Sequence, residues 1–123
     1  MQSHQRSLSD AELVDAIKAA LPLRVQITKR TARLRDKSGK RLTRHGQRLM
    51  ATNVLDGGSL SGITLVMEVK DEVLAMSLTG LRIEPQHPLY KEIRAYQLER
   101  LAWLGTQQDD GGRVHDLVLS GAE

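Results

Sequence analysis

Residues 63–79 read ITLVMEVKDEVLAMSLT, and their alternation decides the fold class. Ile63, Leu65, Met67 and Val69 are apolar and are interleaved with Thr64, Glu68 and Lys70; beyond Asp71 and Glu72 the large apolar residues are Leu74, Met76 and Leu78. Side chains on a strand point to alternate faces, so each half reads as a strand with one buried face. A turn centred on Asp71 and Glu72 sets Val69 against Leu74, Met67 against Met76 and Leu65 against Leu78, giving an antiparallel hairpin with one continuous apolar side. A slip of one residue would turn one strand's apolar set to the opposite face, so the pattern opposes it. The turn residues are not the Asn-Gly or Asp-Gly pair of a tight hairpin, which predicts a loop looser than two residues.

The flanking segments supply what packs on this hairpin. Ser9 and Glu12 form a capping box that starts a helix over residues 10–21, with Leu13, Val14, Ile17, Ala20 and Leu21 on one face and Pro22 ending it. Residues 23–28 alternate, with Leu23, Val25 and Ile27 inward and Arg24, Gln26 and Thr28 outward. Residues 31–36 and 40–43 form a second hairpin around Lys37-Ser38-Gly39, in which Leu34 faces Leu42 and Arg35 faces Arg41. Residues 44–55 mix helix-like spacing (Leu49, Met50, Val54) with β-branched content and read as strand. The run DGGSLSG at 56–62 is a loop by composition.

After Gly80 a short strand carries Leu81 and Ile83. A second helix begins near His87 with Pro88 in its first turn, and Gly105 caps it. Residues 107–112 are a flexible linker and 113–119 a last edge strand. These elements describe an α+β domain: an antiparallel sheet of about five or six strands, with an N-terminal and a C-terminal helix largely on one face. The domain spans residues 9–119, between flexible tails at 1–8 and 120–123.

A chain of 123 residues suits one core. With no Phe, and with Tyr90, Tyr96 and Trp103 its only aromatic rings besides histidine, that core must be aliphatic. The absence of cysteine excludes disulfides, thiolate metal sites and cysteine nucleophiles, and suits the reducing cytoplasm. No signal-peptide pattern or run of about 18 apolar residues occurs, so a cytoplasmic protein with no membrane partner is expected.

The net charge of +3 conceals a partition. Lys29, Arg30, Arg33, Arg35, Lys37, Lys40, Arg41, Arg44 and Arg48 crowd into residues 29–48 beside a single acid, Asp36, with His45 among them. Like charges facing each other across a hairpin, as Arg35 and Arg41 do, destabilise it unless an anion lies between them. Guanidinium groups bind phosphate through paired hydrogen bonds, so this arm is the candidate nucleic-acid-binding element. It holds no Tyr, Phe or Trp, which argues against base stacking and favours recognition of a duplex backbone or shape. The competing reading is a solvated surface whose arginines pair with the chain's own carboxylates.

Other motifs fail on chemistry. In residues 56–64 the glycine interval of a phosphate-binding loop is present, but Ile63 stands where its lysine must be and a strand follows in place of a helix. His4, His45, His87 and His115 have no metal-ligand spacing, and no acid pair sits on a rigid element. No catalytic residue, metal or cofactor is assigned, and the protein reads as non-enzymatic. The second candidate surface is the C-terminal helix, where Tyr90, Tyr96, Arg100 and Trp103 have the composition of an interface. It makes homo-oligomerisation or protein–protein interaction the alternative to nucleic-acid binding.

Overall fold

Ser9 caps the first helix as expected. Its hydroxyl accepts the Glu12 N–H at 3.2 Å while the Glu12 carboxylate accepts the Ser9 N–H at 2.9 Å, and α1 runs Asp10–Ala20. The structure is a computed structural model that describes residues 7–32 and 34–111. The remaining elements are β1 (Leu23–Ile27), β2 (Arg48–Asp56), a helical turn α2 (Gly58–Ser61), β3 (Ile63–Val69), β4 (Glu72–Ser77), β5 (Leu81–Ile83) and α3 (Tyr90–Gly111), with 3-10 turns at Lys29–Thr31 and Leu78–Gly80. The fold is α+β, with one antiparallel five-stranded sheet in the order β4-β3-β2-β1-β5.

That order bends the sheet. Its outermost strands, β4 and β5, are joined only by Leu78–Gly80. In a flat sheet they would lie four strand spacings apart, about 19 Å. Four residue steps from Ser77 to Leu81 reach about 14 Å fully extended, and a 3-10 turn covers about 8 Å. The sheet must therefore curl toward an incomplete barrel, with β4 and β5 as two halves of one bent strand. A bulge assists. Ala51 pairs with Met67 but Asn53 with Val66, so Thr52 is extra and its hydroxyl reaches the Val66 carbonyl at 3.4 Å.

Inside the curl lie Leu23, Val25, Ile27, Ala51, Val54, Ile63, Leu65, Met67, Val69, Met76, Leu78, Leu81 and Ile83, joined by Leu13, Val14 and Ile17 of α1, which packs on β2. The core is aliphatic apart from Tyr96. α3 docks on the β4–β5 link and touches α1. Gln97, 4% exposed, donates both amide hydrogens, to the carbonyls of Leu78 at 2.8 Å and Leu81 at 2.7 Å. Those carbonyls lie on buried residues and would otherwise be unsatisfied. The hydroxyl of Tyr96, 3% exposed, accepts the Ile63 N–H at 2.8 Å and ties the same helix to the start of β3. The Glu92 carboxylate accepts hydrogen bonds from the Ser7 hydroxyl and from the Ser7 and Leu8 N–H groups, which holds those two residues of the expected N-terminal tail against α3.

Several expectations are corrected. The central hairpin pairs Leu65 with Met76 and Met67 with Leu74, two residues from the predicted register, around a tight turn at Lys70 and Asp71. Both turn residues have positive φ, 51° and 68°, the conformation that matches strand twist in two-residue hairpins. A shift of two keeps every apolar side chain on its face, so alternation alone could not choose between the registers. Residues 58–61 form a helical turn within the expected loop. α3 begins at Tyr90, after a turn in which His87 Nδ1 accepts the Leu89 N–H at 3.0 Å. It continues through Gly105, so residues 107–111 are helical where a linker was expected. One interior glycine costs a helix only about 1 kcal/mol, and no proline follows. The strand expected at 113–119 and the C-terminal tail lie outside the described residues.

Candidate nucleic-acid interface

The arm is the β1–β2 connection, residues 28–47, and hydroxyl groups fasten it at its base. Thr28 Oγ1 donates to the Gly80 carbonyl at 2.6 Å, and Thr31 Oγ1 reaches the same oxygen at 3.2 Å. A Cβ on Gly80 would lie 2.9 Å from Thr31 Cγ2, so glycine permits this approach. Thr43, 0% exposed, donates to the Thr31 carbonyl at 2.7 Å and accepts the Leu34 N–H at 3.2 Å. These contacts accompany a 3-10 turn at Lys29–Thr31, which takes in Thr31, the first residue of the expected hairpin.

Beyond the base the expected register holds, but only as a single bridge between Arg35 and Arg41 in place of two strands. Leu42 N donates to Leu34 O at 2.8 Å and Asp36 N to Lys40 O at 2.9 Å, and Gly39 closes the tip with φ +89°. The Asp36 carboxylate accepts the Ser38 hydroxyl at 2.7 Å and the Lys40 and Ser38 N–H groups at 2.9 Å each. The Ser38 hydroxyl, followed by the Lys40 N–H, holds its pKa below the ordinary 3.8. On the return leg Gln47 Oε1 accepts the Arg44 N–H at 2.9 Å, and Gly46 N donates to Ile27 O at 2.8 Å, which brings the chain onto β1.

Lys29, Arg35, Lys37, Lys40, Arg41, Arg44 and Arg48 are exposed, and Arg30 is half-buried against Gly80. Arg33 lies outside the described residues. None of the arm's described cations is within 4.0 Å of a carboxylate among the described residues. The Arg35 guanidinium donates to Gly39 O at 3.0 Å, and Lys70, from the β3–β4 turn, adds another cation by donating to the Arg41 carbonyl at 3.3 Å.

No family model, curated protein or solved structure matches the chain at a significant level.

The structure also assembles residues that sequence order kept apart. Gln26 on β1 pairs with Arg48 on β2 and with Arg82 on β5, so one row across three strands reads Arg48, Gln26, Arg82. Arg24, two residues along β1, meets Glu84 at 3.4 Å with both side chains well exposed, 56% and 43%. These residues line a cleft of about 380 Å³ on the outer face of the sheet. The outward positions of Arg24 and Gln26 and a short strand at Leu81 and Ile83 were legible beforehand; the pairing of that strand with β1 was not.

On α3 the four aromatic-helix candidates separate. Tyr96 is buried, Tyr90 is half-buried, and Arg100 lies over the Trp103 ring, 4.7 Å from its centroid, with Trp103 37% exposed. Among the described residues no helix is long and apolar enough to cross a membrane.

Proposed function

We propose that the protein is a non-enzymatic accessory factor that binds the nucleic-acid backbone through residues 29–48. One observation carries this reading: the arm's described cations, all exposed except the half-buried Arg30, lack carboxylate partners among the described residues, while Arg35 faces Arg41 across a one-bridge hairpin. Facing like charges cost a sheet pair up to about 1 kcal/mol, and a phosphate chain laid along them removes that repulsion. An arm without Phe, Tyr or Trp supports contact with the backbone of a duplex over stacking on bases. The cysteine-free sequence supports a cytoplasmic setting.

The test is duplex binding by fluorescence anisotropy across a salt series. With four to six phosphates neutralised, log affinity falls with log salt at a slope of about −4 to −5. Arg35→Ala with Arg41→Ala makes the slope shallower by about one unit for each phosphate left without its guanidinium. Absence of binding at low salt for both DNA and RNA duplexes overturns the proposal.

The exposed Leu98 and Trp103 on α3 favour a second reading, self-association through that helix. A monomeric mass at high protein concentration would remove it.

A further inference from the structure

We propose that the outer-face cleft between β1, β2 and β5 is a site for a phosphomonoester dianion. Arg48 and Arg82 flank Gln26 in one cross-strand row. Their backbones are therefore about 10 Å apart, a gap that two guanidinium groups span from either side of a single phosphate. Neither side chain bonds to another described residue, so both forks are available. The Gln26 amide between them donates to the Gly46 carbonyl at 3.1 Å, and the row itself contains no acid.

Charge selects the ligand. The cleft is lined by three arginines, Arg24, Arg48 and Arg82, against one carboxylate, Glu84, which is engaged by Arg24. The surplus matches the nearly two negative charges of a phosphomonoester at neutral pH. A backbone diester carries one, and it would leave a guanidinium uncompensated. Arginine forks also suit tetrahedral oxyanions better than a lysine point charge would. The cleft continues along β2 to the exposed Met50, which gives the organic side of an ester an apolar surface beside Arg24. Among the described residues no aromatic ring lines it, so nothing there stacks on a base.

The two sites share Arg48, but this one does not require the arm to bind nucleic acid, and Arg24 and Arg82, which lie outside residues 29–48, let the two be tested separately. Inorganic phosphate is titrated into the full chain at constant ionic strength, with chloride as the matched anion, while amide NMR signals are followed. Saturable shifts are expected at Gln26, Arg48 and Arg82 and not at Arg35 or Lys37. Arg82→Gln and Arg24→Gln, both outside the arm and exposed, weaken phosphate binding about tenfold or more with the remaining amide spectrum unchanged. Arg35→Ala leaves it intact.

A pair of oligonucleotides of one sequence, with and without a 5′-terminal phosphate, then separates the sources of the monoester. Tighter binding of the phosphorylated strand, abolished by Arg82→Gln, identifies a strand end; equal binding with retained phosphate affinity identifies a free phosphorylated ligand. Shifts no larger than those with chloride, or unchanged phosphate affinity in both variants, overturn the proposal.

Discussion

The β3–β4 hairpin and the basic arm are both antiparallel excursions closed by a short turn, yet they are held by different forces. In β3–β4, six registered pairs run from Thr64–Ser77 to Val69–Glu72, and Ile63, Leu65, Met67 and Val69 are all buried. In the arm one bridge survives, and among its described residues only Ala32, Leu42 and Thr43 are buried. Hydrophobic burial maintains the first; side-chain oxygens of Thr43, Asp36, Thr31 and Thr28 maintain the second. A strand pair stripped of its apolar face loses most of its ladder, and polar fasteners then preserve the shape while leaving the cations to solvent.

The sharpest way to break the contrast is Leu65→Ala, which removes a fully buried side chain from the shared core. A loss of about 2–5 kcal/mol is expected in denaturant unfolding. Thr43→Val should cost about 1–3 kcal/mol, because it leaves the Thr31 carbonyl and Leu34 N–H without their partner. Faster hydrogen exchange at Leu34 and Leu42 than at Leu65 would show that the arm opens separately from the sheet.

Asp71→Gly acts in the other direction. Relief of a positive φ at 68° should raise stability by about 0.5–1 kcal/mol, read as a higher thermal midpoint. A decrease would mean that the turn is held by more than its backbone. The smallest effect is expected in acid. A carboxyl whose folded pKa lies below its unfolded value stabilises the fold above the unfolded pKa and ceases to do so as pH falls through the folded one. Amide protection at Ser38 and Lys40 should therefore persist at neutral pH and fade below about pH 3.8, while β3–β4 amides remain protected. Asp36→Asn should shift that loss to neutral pH.

Where the hydrophobic period was strict, the elements could be read directly: α1 with its capping box, β1, and the faces of β3 and β4. The ambiguous reading of residues 44–55 has a physical origin in the bulge at Thr52. Inward positions change from Leu49 and Ala51 to Val54, a step of three that imitates a helix within a strand. In the arm, charge clustering and the Arg35–Arg41 register were visible, but the threonine fasteners were not, since a hydroxyl's partner is set by distant backbone. Gln97 escaped notice for the same reason. The Arg48–Gln26–Arg82 row needed the pairing of β5 with β1, and Arg82 gives no local sign of it.

Local periodicity by itself determined which side chains are apolar, which strands and helices form, and where positive charge accumulates, because each depends on residues within one or two turns of chain. Only the tertiary structure decided that β5 crosses to β1, that the sheet curls, and that three separated arginines share a cleft. A link too short to cross a flat sheet imposes that geometry, and no single segment's pattern records its length relative to strands it never touches.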